Sequence, residues 1–203
     1  SEIDAHPSQI ALGANAAPGD IRFVDVNNDG VINTSDRTNI GDPIPDITMG
    51  FNIKLDYKNF DFIAYSFASL GNDMVRNYER ALSDVNKLNY VLGRWTGEGT
   101  SNSVPRVTTA ATANNVFSDY FVEDASFFRI QNIQLGYTLS QSLSDKLGIN
   151  KLRIYTSVNN LHTFTKYRGY DPSASNGSPI GGGIDYGFYP TPRTFILGLN
   201  VNF

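Results

Sequence analysis

The last ten residues, Thr194 to Phe203, read TFILGLNVNF, and they limit what this chain can fold into more than any other stretch. Phe195, Leu197, Leu199, Val201 and Phe203 fall on one parity, and Ile196, Gly198, Asn200 and Asn202 on the other. Successive side chains of a strand point to opposite faces, so an extended backbone here has one apolar face and one mostly polar face. A soluble sandwich strand shows the same alternation, but a soluble chain rarely leaves five large apolar groups uncovered on its last strand. In a transmembrane barrel, lipid covers the apolar face and the polar face looks into the lumen. The expectation is a wall strand between hydrocarbon and water.

Composition permits this reading and narrows the rest. With 203 residues, 40% hydrophobic and 18% charged, the chain is neither disordered nor a helical membrane protein, and it lacks the run of about 18 apolar residues that a spanning helix needs. Barrel strands need only about 9 to 11 alternating residues each. The 11 Tyr and 13 Phe suit aromatic girdles, and suit a soluble β protein almost as well. A net charge of −4 supplies no basic stripe for a phosphate backbone, so no nucleic-acid partner is expected. The absence of cysteine excludes disulfides, thiolate zinc sites and thiol catalysis. The opening SEIDAHPSQIALGANAAPGD lacks the basic start and apolar core of a secretion leader, so either a leader was removed or residue 1 is not the start of the gene product.

Along the chain, residues 1–20 are polar, rich in Ala, Gly and Pro, and aperiodic. GDPIPD at residues 41–46 is a turn. Ile47, Met49, Phe51, Ile53, Leu55 and Tyr57 then alternate with polar residues and Gly50, the cleanest period-two signal present. A turn at Lys58-Asn59 leads to a second strand over Phe60 to Leu70, whose faces are blurred by Ile63, Tyr65 and Phe67. Residues 71–125 read as a long loop with little core of its own, with a short helix somewhere within Met74 to Leu92. A third strand is expected from about Ser126 to Leu139, a helical turn with a Gly stop over residues 140–150, and a fourth strand from Lys151 to about Thr163. Residues 164–193 form a second long loop before the last strand.

Short and long connections therefore alternate, as in a bacterial outer-membrane barrel with its long loops outside the cell. Five strands cannot close a transmembrane barrel, whose minimum is about eight. The predicted fold is an all-β, antiparallel arc of a larger transmembrane barrel. Residues 1–46 form an extracellular loop region, and residues 47–203 carry the strands, with extracellular loops at 71–125 and 164–193.

One motif points to a metal. Asp25, Asn27, Asp29, Val31, Asn33 and Asp36 occupy positions 1, 3, 5, 7, 9 and 12 of a twelve-residue calcium loop, with Gly30 at the sixth, where the chain must turn sharply. Hard oxygen donors at alternate positions wrap the cation, and Val31 offers its carbonyl. Asp36 stands where a bidentate Glu is usual, which resembles the dockerin variant. The competing reading is an Asx-rich turn without metal. If calcium binds, it is a structural staple of a loop bathed in millimolar calcium, where affinities of about 10⁻⁴ to 10⁻³ M suffice.

No other constellation carries chemistry. His6 and His162 lack a partner at metal or triad spacing. Glu123 and Asp124 are adjacent and point to opposite faces of a strand, which suits no paired acid and base. Gly181-Gly182-Gly183 lacks the Lys of a phosphate loop and reads as a hairpin tip. Tyr90, Trp95, Tyr167, Tyr170, Tyr186 and Tyr189 lie in or beside the long loops, where they either stack on a sugar or pack among themselves. The chain is therefore not expected to be an enzyme.

GDIRFVDVNNDGVINTSDR, IGDPIPDITMGFN, YKNFDF, RW with VPR, FVEDASFFRIQNIQLGYTL, LRIYTSVNNLHTFTKYRGYDP and GIDYGFYPTPRTFILGLNVNF follow in this order from Gly19 to Phe203. Together they resemble the carboxyl-terminal part of the SusC/RagA family of TonB-linked outer-membrane transporters. His162 stands where the family pattern leads one to expect a more apolar residue. The resemblance implies a barrel of about 22 strands with a plug, in the outer membrane of a Gram-negative bacterium. It also implies a SusD-type lipoprotein lid, coupling to the TonB complex through parts outside this chain, and import of oligosaccharides or peptides. Phe203, at the end of the set Phe195, Leu197, Leu199 and Val201, is implied to belong to the signal read by the barrel-assembly machinery. The rival reading is a secreted, soluble β-sandwich binding module with a structural calcium, in which the final strand's apolar face is buried in protein.

Overall fold

A computed structural model describes residues 3, 5–78, 88–174 and 182–203. The strands are β1 (Ile47–Tyr57), β2 (Phe60–Leu70), β3 (Asp73–Arg76), β4 (Val122–Asp124), β5 (Phe127–Thr138), β6 (Lys151–Thr165), β7 (Ile184–Asp185) and β8 (Thr194–Asn202). A six-residue helix, Gln141–Lys146, lies between β5 and β6, and Gly148 follows it at φ +68°. Among the described residues no helix is long and apolar enough to cross a membrane, which says nothing of strands. The chain divides into two compact units, Ser1–Ile40 with Arg76–Val122, and Gly41–Val75 with Glu123–Phe203.

The second unit is built on an antiparallel five-stranded sheet in the order β1-β2-β5-β6-β8. The expected turn is present, with Lys58 at φ +53°. An eleven-residue strand is about 36 Å long, and a tilt of about 45° gives it a height of about 25 Å, the thickness of the apolar band on an outer-membrane barrel.

Register assigns the faces. Ile53 pairs with Ala64, Ala64 with Ile133, Ile133 with Val158 and Val158 with Phe195. Leu55, Phe62, Leu135, Thr156 and Leu197 make the next row, so one face is apolar across all five strands. The face lies open: Phe195 is 72% exposed, Leu197 79%, Leu199 64%, Val201 40% and Phe203 90%. A sandwich would have buried these groups, and the soluble alternative fails on them. Aromatic rings sit toward both ends of this face. Phe60 meets Tyr137 at 4.8 Å beside the tight turn, and Phe128 lies 6.2 Å from Phe51 and 6.1 Å from Phe164 toward the long loops. That is the girdle arrangement of a membrane barrel. His162 shares the outer face, edge-on to Phe164 at 4.4 Å.

The opposite face is polar. Arg153 donates through Nε to Asp61 Oδ1 at 2.8 Å, and Asn132 Nδ2 donates to Ser157 Oγ at 2.9 Å and Asn159 Oδ1 at 2.7 Å. Gly136 and Gly198 make this possible. A Cβ on Gly136 would collide with Arg153 and Asp61, and one on Gly198 with the Tyr155 ring. The blurred faces of β2 also resolve: Ile63, Tyr65 and Phe67 point inward, and Phe67 packs on Phe127 at 6.0 Å.

Residues 71–125 depart from expectation. They contribute a few buried residues, Met74 and Ala125 in the second unit and Ala113 and Phe121 in the first. Asn77 and Tyr78 are helical, and Met74 to Arg76, which precede them, belong to β3, the middle strand of a three-stranded sheet β4-β3-β7. Long-range pairing overrides local propensity there. Asn89–Gly93 form a 3₁₀ turn, and the part of the expected helix over residues 79–87 lies outside the described residues.

Leu197→Arg, at mid-strand on the open apolar face, is expected to cost about 2–4 kcal/mol in lipid, and Asn200→Arg on the polar face close to none. Equilibrium unfolding of the full-length protein in vesicles measures both. Equal costs would refute the face assignment.

Candidate functional site

Two loop constellations carry the candidate site residues, one in each unit. In the first unit, alternating short polar side chains fold residues 25–36 into a ring of Asx turns. The Asp25 carboxylate accepts from the amides of Asp29 at 3.2 Å and Gly30 at 2.8 Å, Asn27 Oδ1 from Asp29 at 2.9 Å, and Asp29 Oδ1 from Val31 at 2.9 Å. Asp36 closes the ring, accepting from the amides of Val26 at 2.9 Å and Asn33 at 2.8 Å. Asn33 caps the 3₁₀ turn Thr34–Asp36 through the amide of Ser35. Gly30 at φ +83° and Asn28 at φ +61° supply the left-handed steps. The amide of Asn33, ahead of those of Val26 and Asn27, holds the Asp36 carboxyl below its ordinary value against the opposing effect of burial. A bridge between Ser8 and Val31 anchors the ring, with the Ile32 amide donating to Ser8 O at 2.8 Å and Ile32 buried. Spacing thus gathers all six predicted ligand residues on one turn. Their carboxylates and amides are held by backbone N–H groups, and among the described residues no three His, Asp or Glu side chains converge as a metal-ligand group.

In the second unit, the loop between β6 and β8 is tied to the sheet. Asp171 Oδ1 accepts from Arg129 Nη2 at 2.5 Å and from the Ser173 amide and hydroxyl at 2.9 and 2.6 Å. Arg129 also donates to the Thr163 hydroxyl at 2.8 Å and to Ser173 Oγ at 3.0 Å, with its guanidinium 5.0 Å from the Phe127 ring. Asp185, 1% exposed, accepts from the Tyr167 hydroxyl and the Gly187 amide, both at 2.8 Å. Tyr167 packs with Met74 and Ala125 in a small buried cluster. Of the loop aromatics, Tyr167 is therefore structural, whereas Tyr170, Tyr186 and Tyr189 stand exposed. Glu123 pairs with Arg168, and Asp124 accepts from the Ser126 amide, so neither is poised as an acid or base. The Gly183 carbonyl accepts from the Val75 amide at 2.8 Å, and Gly181 lies outside the described residues.

No protein-family model matches the chain. TonB-dependent receptor P3 of Formosa agariphila is 39% identical over 95% of the chain, and TonB-dependent receptor SusC of Bacteroides thetaiotaomicron is 32% identical over 96%. The structure of the RagAB peptide importer in its closed-closed state is 28% identical and superposes on 92% of the chain with a TM-score of 0.65. The open-open state covers 78% at 0.61. Over nearly its whole length the chain is similar to the SusC/RagA transporters. It spans about a fifth of the length of these relatives, which are receptors and importers rather than enzymes.

Three of the motifs that marked the SusC/RagA resemblance, GDIR, RW and VPR, meet in space. Gly19 of GDIR, at φ +82°, lies against the Trp95 ring so closely that a Cβ would overlap the indole. Its carbonyl accepts from the Arg106 amide at 2.8 Å, and the Arg106 guanidinium grips Asp20 at 2.7 and 2.9 Å. Asn114 adds a donor to Asp20 at 2.9 Å and accepts from the Ile21 amide. RW and VPR thus lock GDIR in place. Trp95 also lines a groove with Arg22, Asn102, Asp119 and Tyr120. Tyr90 is held by Arg76 Nη1 at 3.0 Å. Sequence reasoning missed Arg129, Asp171, Asp20 and Arg106 as a set because their partners stand 42 and 86 residues apart.

Burial pushes the Asp171 carboxyl up, but its bonds from Ser173 and Arg129 outweigh this and hold it below the ordinary range. A carboxylate depressed in the folded state stabilises fully above its unfolded value of about 3.9 and ceases to do so as pH falls through the lower folded value. Amide exchange in residues 171–173 and 191, corrected for intrinsic rate, is therefore expected to stay constant from about pH 8 to about pH 5 and to rise only below about pH 4. A release near neutral pH would contradict the geometry.

Proposed function

We propose that this chain is a wall segment and part of the outer rim of a TonB-dependent outer-membrane importer for oligosaccharides or oligopeptides. The observation that carries the reading is the five-stranded arc with one continuous apolar face left open and one polar face crossed by ion pairs and amides. Lipid covers the first face and the lumen meets the second. The work is binding and passage, with no bond made or broken. The partners are the remainder of the barrel with its plug, the TonB complex, and a SusD-type surface lipoprotein. The names of the relatives support this: a SusC receptor and a RagAB peptide importer. Residues 71–125 and 164–193 supply contacts to lid or cargo, and the terminal Phe203 with the alternating apolar set before it serves barrel assembly.

Extraction of the full-length receptor from membranes tests this reading. It should need detergent and copurify with a surface lipoprotein, and cells lacking it should lose uptake of the oligomer that the lipoprotein binds. A receptor that remains in aqueous buffer as a monodisperse protein would overturn it.

The loop at residues 25–36 is proposed to hold one structural calcium through Asp25, Asn27, Asp29, Asn33, Asp36 and the Val31 carbonyl. The donor chemistry fits: these are all hard oxygens, on a turn already closed by Gly30 and pinned through Val31 and Ile32. Calcium would supply charge neutralisation of three carboxylates and would stiffen the loop. In millimolar calcium, proteolysis within residues 21–40 should slow several-fold relative to chelator, with apparent Kd of about 10⁻⁴ to 10⁻³ M, and Asp29→Ala should remove the difference. Equal cleavage with and without chelator would sink the proposal.

A further inference from the structure

The described stems of the loop between β6 and β8, residues 166–174 and 182–193, are fastened at points that have no local sequence logic. One carboxylate, Asp171, joins the outgoing stem through Ser173, the returning stem through the Thr191 amide at 3.4 Å, and the sheet through Arg129 of β5. Arg129 extends the junction to Thr163 of β6. Both charged side chains are only 9% exposed. A buried ion pair is tolerated when geometry is good and the remaining donors and acceptors are satisfied, and removing one partner leaves an uncompensated buried charge. Asp185 repeats the device, joining Tyr167 on the outgoing stem to the turn at Gly187 and Phe188.

The placement of the exposed aromatics follows these anchors. Tyr170 precedes Asp171, Tyr186 follows Asp185, and Tyr189 lies between Asp185 and Thr191; they are 62%, 53% and 90% exposed. We infer that Asp171, Arg129 and Asp185 are positioning residues that hold both stems as a fixed rim, so that Tyr170, Tyr186 and Tyr189 are already in place before a ligand arrives. That these tyrosines meet cargo rests on the importer reading; the fixed stems do not.

Hydrogen exchange on the full-length receptor in detergent tests this without reference to transport, so its failure is separate from failure of the importer reading. Asp171→Asn should lower protection in residues 167–174 and 184–193 by about a hundredfold or more, while β5, β6 and β8 stay within about threefold of wild type. Asp56→Asn, which breaks an exposed pair with Lys54 beside the tight turn, should leave the stems within about threefold. Arg129→Lys, a compact charge that cannot serve Thr163, Ser173 and Asp171 together, should loosen the same stems in an assembled barrel. Unchanged stem protection in Asp171→Asn overturns the inference. If that variant fails to assemble, unchanged stems in Arg129→Lys overturn it. Loosening that spreads into the strands also overturns it, since the pair would then be a requirement of the barrel rather than of the rim.

Discussion

A backbone amide that enters hydrocarbon has no water to bond, so it must find its partner within the protein. Everything else in the second unit follows from that constraint. It forces residues 47–70, 127–138, 151–165 and 194–202 into long ladders, with register shifts only at Tyr65/Ser66 and Ile130/Asn132, and it forces the connections to the two ends. Once the ladders exist, strand geometry sorts side chains by parity, and the solvent on each side decides which are allowed there. Most Ile, Leu and Phe gather on one face, and Asn, Ser, Asp and Arg on the other.

How far this could be read in advance depended on whether the signal was local. Strands β1 and β8 announce themselves because both their faces meet uniform surroundings, and alternation is a property of neighbours in sequence. Strand β2 did not, because Ile63, Tyr65 and Phe67 occupy the inner face. Phe67 packs there against Phe127, so the inner wall toward the long loops has an apolar environment that a two-solvent rule does not foresee. The strands β3, β4 and β7 are four, three and two residues long, too short for any periodicity, and exist only because distant segments pair.

The candidate site divides along the same line. The ring at residues 25–36 was legible because every hydrogen bond in it spans ten residues or fewer, so spacing alone encodes the turn. The junctions at Asp20 with Arg106 and at Arg129 with Asp171 are equally well made but join residues far apart in the chain. No composition or period marks them. What the sequence did show was the recurrence of GDIR, RW and VPR as separate marks of one family, and Gly19, Asp20, Trp95 and Arg106 give the physical reason that such marks travel together.

The inner-face glycines decide how their neighbours lie on the sheet. Over Gly136 and Gly198 the long side chains of Arg153 and Tyr155 lie down along the sheet instead of standing up from it. A methyl group at either glycine would push the neighbouring side chain off the sheet, a disturbance confined to the inner face.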